Sequence, residues 1–166
     1  MSTKSKSLDS GPPPKMVTVL LISSYDEFFT RSKGGAIWGR IYFRIGDSEF
    51  FPEKGWTDLV VAFLRGWLGS LLKISEGTLK ADAVNFYDGP LNVGIRVTGQ
   101  GVAELAFTHR EKVILYVGAD LRALLENSLD VAQELLSQCQ EKSWTNDDTA
   151  ALTILALKAK RALKCG

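Results

Sequence analysis

The chain has 166 residues, 45% of them hydrophobic and 23% charged, enough for one domain with a sizeable core and too few for two ordinary ones. A formal net charge of +1 gives no overall pull toward nucleic acid or an acidic membrane. The longest uncharged run, Met16 to Tyr25, is ten residues, about half of what a membrane-spanning helix needs.

Met1 to Lys15, "MSTKSKSLDSGPPPK", is rich in Ser, Lys, Pro and Gly and reads as a flexible tail, with one domain expected over 16–166. The lysines have no apolar run directly behind them, unlike a secretory signal. Met16 to Ser24 is short, β-branched and uncharged, the pattern of a buried strand. "SKGG" at Ser32 to Gly35 reads as a loop. Ile37, Gly39, Ile41, Phe43 and Ile45 then alternate with Trp38, Arg40, Tyr42 and Arg44, which predicts a strand with one apolar face, ended by "GDSE".

A helix is predicted over 56–75. Trp56, Val60, Phe63, Leu64, Trp67, Leu71 and Ile74 fall on one stripe, Thr57 or Asp58 is placed to cap the first turn, and Gly77 suits a left-handed end. The segment 83–117 predicts an antiparallel meander: "AVNFY", a turn at Asp88-Gly89, alternating Leu91 to Val97, "GQG", alternating Ala103 to Phe107, "REK", and "VILYV". Two helices close the chain. The first runs from an Asp120 cap to about Gln140, and the second starts with a capping box at Thr145 to Asp148. The fold class is therefore α+β: an antiparallel sheet of about five or six strands packed by the central helix and two C-terminal helices.

Candidate chemistry is sparse. His109 is the only histidine, and it reads as a strand-end residue half covered by the core. Cys139 and Cys165 are far apart, which suggests a reducing, cytoplasmic setting and supplies no zinc-ligand spacing. No metal or cofactor is implied. Asp58, Asp82, Asp88 and Glu104 could serve a small carboxylate-dependent hydrolase, but nothing in the spacing pairs them, and caps or turns account for Asp58 and Asp88. Trp38, Arg40, Tyr42 and Arg44 place rings and guanidinium groups on one strand face, as in platforms for single-stranded nucleic acid. Four residues are few, and a nucleic-acid partner is disfavoured. From Asp120 to Asp148, seven acids stand against Arg122 and Lys142. Glu126, Asp130 and Glu134, spaced by four, form a ridge on one helix face, with Asp147 and Asp148 following. Such a ridge is either a solvated face or a docking surface for a basic protein.

The string "FPEKGWTDL", the apolar helix with "WL" and the later "NFYDGP" resemble a group of small bacterial proteins with the pattern F-P-x-x-x-W-x-D-F followed by F-x-D-G-P. The resemblance spans roughly 37–97 and rests on Phe50, Pro52, Trp56, Asp58, Trp67, Phe86, Asp88, Gly89 and Pro90. Leu59 departs from the aromatic residue usual after the Asp, and Gly66 stands where a second Trp is common. The resemblance implies an immunity protein that neutralises a toxin, with no catalytic residue to carry over. The expectation is thus a non-enzymatic protein that occludes a basic toxin domain with Glu126, Asp130, Glu134, Asp147 and Asp148.

Overall fold

A computed structural model describes residues 12–165. The tail expected at Met1 to Lys15 falls mostly outside the described residues. Nine strands and three helices are seen among these residues: β1 (Val19–Ser24), β2 (Thr30–Arg31), β3 (Ile37–Ile45), β4 (Glu49–Phe51), β5 (Thr57–Leu59), α1 (Val60–Ser75), β6 (Ala81–Asn85), β7 (Leu91–Val97), β8 (Val102–His109), β9 (Lys112–Asp120), α2 (Leu121–Glu141) and α3 (Asp147–Cys165). The class is α+β, with the central helix, the meander and the two C-terminal helices as expected.

The strands form two antiparallel sheets rather than one. In the five-stranded sheet β3 is the axis. β1 lies beside Arg40 to Ile45, β2 beside Ile37 and Trp38, β4 beside Phe43 to Ile45, and β5 beside Trp38 to Arg40. Since β5 and β1 both pair with Arg40, they flank β3 on opposite sides. The period-two pattern of β3 holds without a break: Ile37, Gly39, Ile41, Phe43 and Ile45 are buried, and the residues between them are half-buried. The second sheet is the meander β6-β7-β8-β9.

The two inner faces meet around α1, where ten residues are buried, including Phe63, Leu64, Trp67 and Leu71. Burial around so much of a helix's circumference marks it as central rather than peripheral. Aromatic rings join the layers. Phe43 of β3 stands edge-on to Trp67 of α1 at 5.1 Å and to Phe107 of β8 at 5.5 Å, while Phe63 stacks on Phe86 at 4.2 Å. The Trp67 indole N–H is buried but satisfied, donating to Ser128 Oγ of α2 at 2.9 Å.

α1 begins later than its apolar stripe suggests. Thr57 to Leu59 are extended and pair with β3, and neither Thr57 nor Asp58 caps the helix, whose first turn has no side-chain cap. Trp56 is therefore outside the helix and only half-buried, not a core residue on the stripe. At the far end Gly77 takes φ +79°, and the Thr78 amide reaches back to the Lys73 carbonyl, as a left-handed helix end requires. Asp120 caps α2 by accepting from the Ala123 amide at 2.8 Å. The capping box of α3 is shifted by one residue from the expected position. Asn146 accepts from the Thr149 amide at 2.9 Å, and Thr149 Oγ1 accepts from the Asn146 amide at 2.8 Å.

Pro12 to Lys15 are described and lead into β9: the Gly118 amide donates to the Lys15 carbonyl, and the Val17 amide to the Gly118 carbonyl, both at 2.9 Å. A Cβ on Gly118 would lie 2.6 Å from Met16 Sδ, so the flexible Met16 side chain packs directly over this glycine.

Candidate binding surfaces

Glu126, Asp130 and Glu134 are all exposed on α2. Their neighbours are local: Glu126 accepts from Arg122 Nε at 3.0 Å, and Glu134 accepts from Gln138 at 3.1 Å. Two turns of helix separate the ends of the ridge, roughly 12 Å. Asp147 and Asp148 lie elsewhere. Both line a hollow with Gly34 to Ile37 and the start of α1, and Asp148 pairs with Arg65 of α1 at 2.8 Å. The five acids expected to act together are thus divided between two places. The shifted α3 cap explains the division: Asn146 holds the helix start, which frees Asp148 to reach α1.

The outer face of β3 carries Trp38, Arg40, Tyr42 and Arg44 as expected, but Arg40 is already committed. Its Nε donates to Asp26 at 2.7 Å, a terminal nitrogen donates to the Gly55 carbonyl at 2.6 Å, and its guanidinium lies 4.1 Å from the Phe28 ring centre. The Phe28 amide and the Arg40 side chain together hold the Asp26 carboxyl below its usual range. Gly55 fits this clamp because its φ is +79° and a Cβ there would lie 2.6 Å from the Arg40 guanidinium. Tyr42 leans on Phe50 at 6.0 Å between ring centres, and Arg44 Nε is buried with no hydrogen-bond partner among the described residues. One uncommitted cation does not make the track of phosphate contacts that a nucleic-acid strand requires.

The four candidate carboxylates do not converge on a cleft. Asp58 has no solvent exposure and holds four donors: Trp56 Nε1 at 3.0 Å and the amides of Leu59 at 2.7 Å, Tyr87 at 3.1 Å and Asp88 at 3.1 Å. This single side chain clasps β5 of one sheet to the turn after β6 of the other. Sequence reasoning assigned Asp58 to a helix cap and missed the clasp. The signal was present in the two halves of the resembled pattern, W-x-D and F-x-D-G-P, which the clasp joins. Asp82 accepts from Ser70 Oγ of α1 at 2.6 Å. Glu104 pairs with Arg96 across β7 and β8. Burial works against ionisation of Glu104, but hydrogen bonds from Tyr116 and Arg96 prevail and hold its carboxyl below the ordinary value. Asp88 is exposed in its turn.

His109 is exposed rather than half covered. β8 pairs with β7 without a break, from Val97 opposite Ala103 to Leu91 opposite His109, but its pairing with β9 slips after Phe107, where Ile114 of β9 is the extra residue; there Thr108 is buried and His109 exposed. Both cysteines are free: Cys165 is exposed, and burial pushes the Cys139 thiol up to about 11. An open groove of about 600 Å³ runs between α2 and α3, lined by Leu136, Cys139, Thr149, Ala156 and Leu157 among others. Among the described residues no cluster of His, Cys, Asp and Glu could hold a metal ion, and no helix is long and apolar enough to cross a membrane.

These features define an α+β protein of two antiparallel sheets around a central helix, with an acidic helix face and carboxylates tied into the fold. No family model, curated protein or solved structure matches the chain.

Proposed function

We propose that the protein is a non-enzymatic binding protein that neutralises a basic toxin domain by covering its active site, in the manner of bacterial immunity proteins. The observation that carries this reading is the exposed ridge of Glu126, Asp130 and Glu134 on α2, along which Arg122 pairs with Glu126. Three like charges held on a rigid helix face create a local negative field, which steers a cationic surface into register and repels anionic competitors. The ridge is the contact surface; Asp148 instead pairs with Arg65 of α1, with Asp147 beside it at the hollow next to the Gly34–Ile37 loop. The carboxylates favour binding over hydrolysis, because Asp58, Asp82 and Glu104 each hold a neighbouring element in place.

The test uses the product of the gene next to this one, purified as the candidate toxin domain. Wild-type protein should bind it and suppress its activity. Charge reversal at Glu126, Asp130 and Glu134 together should slow association about 10-fold or more at low salt and flatten its salt dependence. An association rate unchanged by the triple reversal at low salt would sink the reading.

A further inference from the structure

α2 and α3 form an antiparallel hairpin. Its inner side, with Leu125 and Leu135 of α2 and Leu152 and Ala159 of α3, is buried against the rest of the fold. Its outer side is the open groove of about 600 Å³. Two contacts fix the register. At the open end Arg122 donates to the Leu163 carbonyl at 2.7 Å, and at the closed end the Trp144 amide donates to the Cys139 carbonyl at 2.8 Å. Between these ends Glu126 lies level with Lys160, and Ser137 with Ala150. Outward on α3, Ala150, Thr153, Leu157, Lys160 and Lys164 follow at spacings of three and four, and all are exposed, Leu157 by 53%. Glu126, Asp130, Gln133 and Ser137 repeat that spacing on α2 and are exposed too. This is the seam spacing of packed helices, and a hairpin with one such seam on each helix is half of a four-helix bundle. The two lips differ in sign. The α2 lip carries Glu126 and Asp130. The α3 lip carries Lys160, Arg161 and Lys164, none of which makes an ion pair among the described residues.

We infer that the outer side of the α2–α3 hairpin is a self-association surface, on which two copies of the chain pair about a two-fold axis parallel to the helices and complete a four-helix bundle. The rotation preserves height along the axis and lays α2 of one copy antiparallel over α3 of the other. Height then decides the contacts. Glu126 and Asp130 of each copy come over Lys160 and Arg161 of the other, so each acidic lip meets a basic one. Nearer the closed end Ser137 meets Ala150, small against small, and Leu157 enters the facing groove. A foreign cationic helix would suit the α2 lip but set a base against Lys160, and an anionic helix would do the reverse. A second copy satisfies both lips at once.

The area sets the strength. α3 has 19 residues. A hairpin of that length and two helices wide covers roughly 560 Å² per copy, or about 1,100 Å² in the pair. That clears the roughly 1,000 Å² of a specific interface at the small end, and the seam is largely polar, so the dimer forms at tens to hundreds of micromolar. Dimerisation covers Glu126 and Asp130 and so withdraws part of the ridge from a cationic partner. The inference does not rest on the toxin-binding reading. A toxin titration at nanomolar concentration sees only monomer, so either can fail without the other.

Sedimentation velocity of the full chain alone, from about 5 µM to about 1 mM at low salt, tests it. The wild type should pass from monomer to dimer across that range. Ala150→Arg, an exposed change at the groove, should raise the midpoint about 10-fold or more. Lys160→Glu sets like charges against Glu126 and Asp130 of the second copy and should raise it similarly, as should Asp130→Lys. The double variant Asp130→Lys with Lys160→Glu exchanges the pair and should associate at least about 3-fold more tightly than either single variant. Lys112→Glu, in the turn before β9, makes the same charge change away from the hairpin and should behave as wild type. Circular dichroism melts confirm that each variant is folded. A wild type that stays monomeric at about 1 mM overturns the inference. So does association that survives both Ala150→Arg and Lys160→Glu in folded protein, or a double variant no tighter than its parents.

Discussion

Replacing Asp58 by alanine removes one acceptor from four donors at once. Trp56 Nε1 and the Leu59, Tyr87 and Asp88 amides all end on its two carboxyl oxygens, within 2.7–3.1 Å. A buried donor left without an acceptor costs about 1–3 kcal/mol. The four do not add in full, because Tyr87 is 59% exposed and its turn admits water to the Tyr87 and Asp88 amides. The expected loss for Asp58→Ala is therefore about 3–5 kcal/mol. For a chain of this length that lowers the melting temperature by roughly 6–20 °C. Asp58→Asn keeps the volume and one acceptor but turns an amide group toward two of the donors, so about 2 kcal/mol is expected. Trp56→Phe removes a single donor and should cost about 1 kcal/mol, and combining it with Asp58→Ala should cost less than the sum, since the indole N–H is already orphaned. Urea titration followed by circular dichroism supplies all four values. A loss below about 1 kcal/mol for Asp58→Ala, or additive behaviour in the cycle, would refute the clasp.

The two tryptophans near the start of α1 should separate in the same assay. Trp67→Ala empties the centre of the aromatic cluster and strands Ser128, and should cost about 3–5 kcal/mol, whereas half-buried Trp56→Ala should cost clearly less. Equal losses would place both rings in the core. The thiols should differ as sharply. In native protein near neutral pH a thiol reagent should modify Cys165 at once and leave Cys139 untouched, and denaturant should expose the second thiol. Because the Cys139 thiol is raised in the fold, it favours the native state below its unfolded value near 8.5, and that contribution fades as the pH climbs toward 11. Rapid modification of both thiols in native protein would contradict the burial.

Much of the fold was legible in the sequence where a local rule and the tertiary outcome agree. The alternation of β3 survives because both of its neighbours are strands, so the pleat alone sorts its side chains. The meander is read from turn residues, and Gly89, Gly99 and Gly101 do take positive φ. Asp120 caps α2 because a cap needs only the next three residues. What period and propensity could not reach were choices settled by distant partners. Trp56 to Leu59 fit a helical stripe, yet β3 offered Thr57 to Leu59 a hydrogen-bonding edge and the Tyr87 turn offered Asp58 two amides, and extended backbone prevailed. Arg40 looked available on a strand face until Asp26, Gly55 and Phe28 closed on it. By itself, the sequence determined the element types, the apolar faces and the acidic ridge, because these follow from spacing along the chain. Tertiary structure alone decided that the strands divide into two sheets, that one buried carboxyl clasps them, and that Arg40 is tied to Asp26 and Gly55, because those outcomes depend on which donors, acceptors and apolar faces meet across long stretches of chain.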